Sequence, residues 1–293
     1  MKRLFILLLV VGVTDSAICQ SAVTGKDLFA WVQGIEGKSP EGRKEFVKNE
    51  LVAMGLQFKT AFFSHELKDR KTITGENIIA SLGKGNRNVV VGAHYDAVPG
   101  SPGANDNGGG VAVVLGLLKS MKEFEWSYKV DFCFFDQEEV GLIGSREFVR
   151  TYSDSSIHLA MINLDVEGMG DAVYVGPVGG GDDDLLMPML RTIARTAGYT
   201  LYESPHYPSS DHLSFAERSL ENISVSIVPT SDVPLLIDAI QKGWKIDPEK
   251  VPAVMKTMHT PRDSSIHVSP MSLSMSLEFV KTLLLSLDDA GTQ

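Results

Sequence analysis

The chain has 293 residues, 43% of them hydrophobic, and a formal net charge of −10. An acidic protein without basic runs is a poor candidate for nucleic acid or anionic lipid, and beyond its N-terminus it has no apolar segment long enough to cross a bilayer. That size and composition suit one α/β domain with a large core.

In chain order, Lys2 and Arg3 precede an apolar run, Leu4–Val13, and a small-residue polar segment, the order of a secretory signal peptide. The expected cut falls after Cys19, making residues 1–19 the signal and 20–293 a single mature domain. Lipidation of Cys19 is the alternative, disfavoured by the large Ile18 before it. Cleavage leaves Cys133 as the remaining thiol, inside the apolar run Val130–Phe135, where an inert buried state is expected. An exported chain without a disulfide suits a bacterial periplasm or exterior.

Helical spacing of apolar residues predicts helices over Asp27–Ile35 and Glu41–Met54. Strands are expected at Gln57–Phe63, Asn77–Leu82 and Asn88–His94, followed by a Gly- and Pro-rich loop (Pro99–Gly110) and an apolar helix, Val111–Met121. Val130–Phe135 and Leu159–Asp165 read as buried strands, with a helix over Gly144–Tyr152 between them. A strand in Asp171–Gly176, a helix over Leu185–Thr196 capped by Asp182–Asp184, a strand at Asn222–Val228 and a closing helix at Ser272–Leu287 complete the reading. Glu203–His212 and Pro229–His259 are the least regular stretches and are expected to wall a pocket. Apolar strands alternating with helices predict a mostly parallel sheet covered on both faces.

Ligands of an open α/β sheet bind beyond the carboxyl ends of its strands. His94 and Asp96 stand where one strand stops, Glu138 and Glu139 just past another, and Asp165 ends a third. Asp106 follows on the loop Gly103–Gly110, and His259 arrives from far downstream. Imidazole with carboxylate suits zinc, and two zinc ions about 3.5–4 Å apart need a bridging carboxylate. Asp106, on a loop that can turn it inward, is the natural bridge.

The segments GAHYDAVPGSPGANDNGGG, FFDQEEVGLIGS, INLDVEG, SSDHLSF and HTPRD resemble the di-zinc aminopeptidases, whose relatives include glutaminyl cyclases and glutamate carboxypeptidases. The resemblance implies one zinc on His94, Asp165 and the bridging Asp106, and a second on Glu139, His259 and Asp106. It makes Glu138 the general base toward a zinc-activated water and Asp96 the acceptor that orients His94, and it implies a single-domain, three-layer α/β/α sandwich around a mostly parallel mixed sheet. Implied substrates are peptides with a free N-terminus, their ammonium held by carboxylates. Two positions depart from the family: Gly109 stands where Ser or Ala is frequent, and Met258 where some relatives place a Tyr that polarises the carbonyl. His212 and Tyr207 are the substitutes considered for that task. Asp211 and His212 either open a helix or face the pocket, and Asp263 either orients His259 or makes a turn. Glutaminyl cyclisation on one zinc and a non-catalytic binding relative are the alternative functions. A separate lid domain, as in related carboxypeptidases, has too little room between Asp165 and His259.

Overall fold

The computed structural model describes residues 22–67, 69–151, 155–178 and 185–291. The signal segment with Cys19, the Gly179–Gly181 run and Asp182–Asp184 lie outside them.

Eight strands form one sheet: β1 (Phe58–Glu66), β2 (Thr72–Leu82), β3 (Asn88–His94), β4 (Lys129–Phe135), β5 (His158–Leu164), β6 (Ala172–Gly176), β7 (Leu201–Glu203) and β8 (Asn222–Val228). Their order is β1-β2-β4-β3-β5-β8-β6-β7. The centre, β4-β3-β5-β8, is parallel. β1 and β2 join antiparallel on one side and β6 antiparallel on the other, with β7 parallel to β6. β3 therefore has β4 on one side and β5 on the other, and strand order reverses there, where such sheets open a crevice.

The helices are α1 (Gly25–Ile35), α2 (Pro40–Ala53), α3 (Gly110–Met121), α4 (Ile143–Arg150), α5 (Leu186–Ala197), α6 (His212–Ala216), α7 (Val233–Gln241) and α8 (Pro270–Gly291). Side chains alternate across the pleat, and β3 and β4 are apolar on both sides. Val89, Val91, Phe132 and Phe134 pack with residues of α1, α2, α3, α5 and α8. Val90, Cys133 and Phe135 face the other way, onto Phe148 of α4 and Phe215 of α6. The chain is a single α/β sandwich, and the Cys133 thiol is buried and free.

Four elements depart from the sequence reading. β2 begins five residues before Asn77, because Thr72–Glu76 pair with β1 as a hairpin arm whose polar residues hide the strand pattern. α6 and β7 are too short for periodicity to reveal. α7 lies inside a stretch expected to be irregular; Pro234 reads as a breaker, yet it sits in the first helical turn, where its missing N–H costs nothing. The Asp165–His259 interval holds α5, α6, α7 and three strands of this same sheet rather than a lid.

Arg43 is the unexpected member of α2. Its side chain is buried (1% exposed) and donates to backbone carbonyls from three segments: Tyr95 after β3, Ile35 at the end of α1 (3.4 Å), and Pro102 (3.2 Å) and Gly103 (3.2 Å) in the loop before Asp106. One guanidinium thus staples the loop to the sheet. Arg43→Met is expected to strand these carbonyls at about 1–3 kcal/mol each. At 2–4 °C per kcal/mol, calorimetry on the purified chain is expected to show a melting point lower by roughly 6 °C or more. An unchanged melting point would remove Arg43 from the account.

Candidate metal centre

Asp106 is the hinge of the site. It lies in an irregular helical turn, Ala104–Gly109, at φ −109° and ψ 92°, off the helical region, which lets its carboxylate swing inward. The turn is held from outside itself. Asp263 accepts from the backbone N–H of Asn105 (2.9 Å) and of Asp106 (3.1 Å). Asn107 donates to the Leu164 carbonyl (2.8 Å) and accepts from the Gly110 N–H (3.0 Å). Asp263 therefore positions the loop and does not touch His259. A Cβ at Gly110 would lie 2.6 Å from the Leu164 carbonyl, so this approach of helix to strand needs glycine, whereas at Gly109 it would meet nothing nearer than 3.3 Å. The departure at Gly109 is sterically mild.

The two oxygens of Asp106 face opposite ways. Oδ1 lies 3.3 Å from His94 Nε2, which is 3.6 Å from Asp165 Oδ1. Oδ2 lies 3.0 Å from His259 Nε2, which is 3.2 Å from Glu139 Oε2. A tetrahedral zinc with bonds of ~2.0–2.1 Å separates its ligand atoms by about 3.3 Å, so each set has the spacing that an ion at its centre requires. His94, Asp106 and Asp165 form one group, Asp106, Glu139 and His259 a second, and His94, Glu138 and Glu139 a third, with ligand atoms mutually within 4.8 Å. Asp165 Oδ1 and Glu139 Oε1 are buried without a hydrogen-bond partner among the described residues, an expensive condition unless a cation completes them.

Asp96 does more than orient His94. Its Oδ1 lies 3.3 Å from His94 Nδ1 and accepts from the Glu138 N–H (3.1 Å), while Oδ2 accepts from the Glu139 N–H (3.1 Å). One buried carboxylate therefore registers the ends of β3 and β4 against each other. Local backbone strain gathers here too. Seven described non-glycine residues have positive φ, and five of them, Gln137, Leu142, Val166, Trp244 and His259, surround the ligands and the adjoining cavity. Such conformations cost about 1–3 kcal/mol each and persist where the surroundings enforce them.

A cavity of about 270 Å³ opens beside the ligands, its wall largely apolar: Val166, Tyr174, Tyr207, Leu236, Trp244 and Met258. Tyr207 lines it. Asp211 and His212 do not; both are buried, and Asp211 begins α6 without making a capping hydrogen bond. Burial holds the His212 imidazole neutral, down to about 4, and its ring packs at 5.6 Å, edge to face, on Tyr207.

Crowded carboxylates shape the titration. Burial pushes Glu138 up to about 10, with His94 pulling it down while Asp211, Asp165 and Glu139 add to the rise. Hydrogen bonds to Asp106 and Glu139 lift His259 from 6.5 to about 10. Burial works to depress His94, but Glu138, Asp106, Asp165 and Asp96 together raise it well above its ordinary value.

A parallel-centred α/β sheet with paired histidine–carboxylate sets at its carboxyl edge has the makings of a metal centre. Residues 77–284 match Peptidase family M28, and the chain belongs to that family. Aminopeptidase YwaD of Bacillus subtilis (strain 168) is 31% identical over 198 residues, 66% of this chain and 39% of that relative. The chain thus matches well under half of that relative's length. Among solved structures, BSAP, a zinc aminopeptidase from Bacillus subtilis, superposes with a TM-score of 0.71 at 17% identity, covering 90% of this chain and 95% of that one. A glutaminyl cyclase of Porphyromonas gingivalis gives 0.70 at 19% identity, over 91% and 99%. Identities this low establish the shared fold and do not choose between the two chemistries.

The raised histidines set a pH dependence. In metal-free protein the His259 contribution to stability is fully present below its ordinary 6.5 and is lost as pH rises through about 10. Metal binding runs oppositely, because ligation needs the neutral ring. Zinc affinity, measured by chelator competition between pH 6 and 8, is expected to rise with pH, with protons released to the buffer on binding. A pH-independent affinity without proton release would contradict the assigned ligands.

Proposed function

We propose that the chain is an exported zinc aminopeptidase that holds two zinc ions and removes single residues from peptide N-termini. The observation that carries this reading is Asp106, whose two oxygens face two separate histidine–carboxylate sets at zinc-like spacing. Family membership and the aminopeptidase relative support peptides as substrates. Export is supported by the basic, apolar, small-residue order of residues 1–19.

When bound, zinc supplies Lewis acidity and makes an attacking water acidic near neutral pH. The chain's own residues do the rest. Glu138 lines the cavity beside both ligand sets, and it becomes an ionised base once the site's cations offset the neighbouring carboxylates. Its carboxylate takes the water's proton and returns it to the leaving amine. Asp96, through the Glu138 N–H, holds that base in register with His94. The peptide's N-terminal ammonium meets Glu138, Glu139 and Asp165, while its first side chain enters the apolar cavity.

Leu-, Met- and Phe-peptides are therefore expected to be shortened one residue at a time. Asp- and Lys-peptides should be cut at least about tenfold more slowly, since their charges would be buried unpaired. N-acetylated twins are expected to be inert, because they forfeit a charge-assisted contact of about 1.5–3 kcal/mol. With these peptides followed by mass spectrometry, Glu138→Gln should lose about 10²–10⁴-fold in kcat with its metal retained, whereas Glu139→Gln should lose metal. Gln-peptides that shed ammonia at unchanged length, with no peptide shortened, would replace this reading with a glutaminyl cyclase.

A further inference from the structure

The wall of the side-chain cavity is tied to a metal ligand through two hydroxyls. Tyr207 hydrogen-bonds to Ser226 Oγ, and Ser226 Oγ donates to the backbone carbonyl of Asp165. A serine hydroxyl has one proton, and that of Ser226 is committed to Asp165, so Tyr207 is the donor in its own bond. The Tyr207 proton is therefore spent inside the wall and is not free to polarise a substrate carbonyl.

Each partner in the tie is rigidly placed. The Tyr207 ring stacks on Tyr174 (5.3 Å, 24° between planes). Tyr174 is the register partner of Ser226 across β6 and β8. The Asp165 N–H is also held, by the Val225 carbonyl (3.2 Å) and Glu167 Oε1 (3.1 Å). The next residue, Val166, has φ +65°, a region β-branched side chains avoid, and it lines the same cavity. Both backbone polar groups of a ligand residue are thus clamped, and the carbonyl clamp leads directly to the cavity wall.

We propose that Tyr207 is a positioning residue: a side chain filling the cavity presses on the Tyr207–Ser226–Asp165 tie and sets the Asp165 carboxylate against His94. Side-chain fit is then expressed in turnover as well as in binding. The substrate half of this rests on the aminopeptidase reading; the tie itself belongs to the metal site and can be tested without turnover.

The test uses the full chain and its Tyr207→Phe, Ser226→Ala and double variants. In the zinc protein the Leu:Ala ratio of kcat on aminoacyl-anilides should fall roughly tenfold in each single variant, in the range of lost ligand-supporting contacts. The KM ratio should hold, and the double variant should be no worse than either single. In the cobalt-substituted protein, saturating 3-methylbutylamine and methylamine should give different visible spectra in the wild type and coincident spectra in Tyr207→Phe. The spectral arm decides the tie even if no anilide is cleaved, and Ser226→Ala serves if Tyr207→Phe does not fold. Variants that keep the wild-type spectral difference and kcat ratio, or singles whose losses add, would overturn the proposal.

Discussion

Every feature of the site answers one problem, the crowding of carboxylates at the carboxyl edge of the sheet. Asp106, Glu138 and Glu139 bring oxygens together with His94 and His259 in groups whose ligand atoms lie within 4.8 Å, and Asp165 joins them. Like charges at that separation in a water-poor crevice repel strongly, so positive charge must enter. In the protein by itself protons fill that need: the neighbouring carboxylates raise the two histidines, and burial, with the carboxylates adding to it, pushes Glu138 up to about 10. The histidine–carboxylate separations already match a zinc polyhedron, so metal ions would take the place of those protons on the scaffold as it stands.

Two further carboxylates are kept from adding to the repulsion by being spent on backbone. Asp96 uses both oxygens on the N–H groups of Glu138 and Glu139, and Asp263 uses both on Asn105 and Asp106. Each converts a charge into a geometric constraint on ligand-bearing chain. Arg43 adds a buried guanidinium that holds the loop before Asp106 through the Pro102 and Gly103 carbonyls. The anchors come from α2, from the end of β3 and from beyond residue 260, so the centre assembles only when distant parts of the chain have packed. Fold stability and ligand geometry are coupled for that reason.

The sheet and the gathering of His94, Asp106, Glu139, Asp165 and His259 at its edge were readable because the physics that places strand ends is local. Asn88–His94 and Asn222–Val228 are strands with the bounds their apolar runs suggest, and a strand that ends on His94 or just before Asp165 advertises a residue at the sheet edge. The supports were not readable. Arg43 sits among Glu41, Lys44 and Lys48 in a helix that looks solvated, and only its tertiary partners show it to be buried. Asp263 carries no spacing signal, because its partners lie more than 150 residues away. Within Pro229–His259, the stretch expected to wall a pocket, Leu236 and Trp244 do line the cavity, but the helix α7 that carries Leu236 was not legible. Tyr207 was visible as a candidate, but its hydroxyl partner lies on a strand that sequence alone does not place beside it.

The bridging arrangement of Asp106 is the claim on which the functional reading turns, and calorimetric titration of zinc into the chelated full-length chain tests it directly. Uptake is expected to end close to two equivalents per chain. Saturation at one equivalent, with no second ion taken up under excess zinc or cobalt, would contradict it.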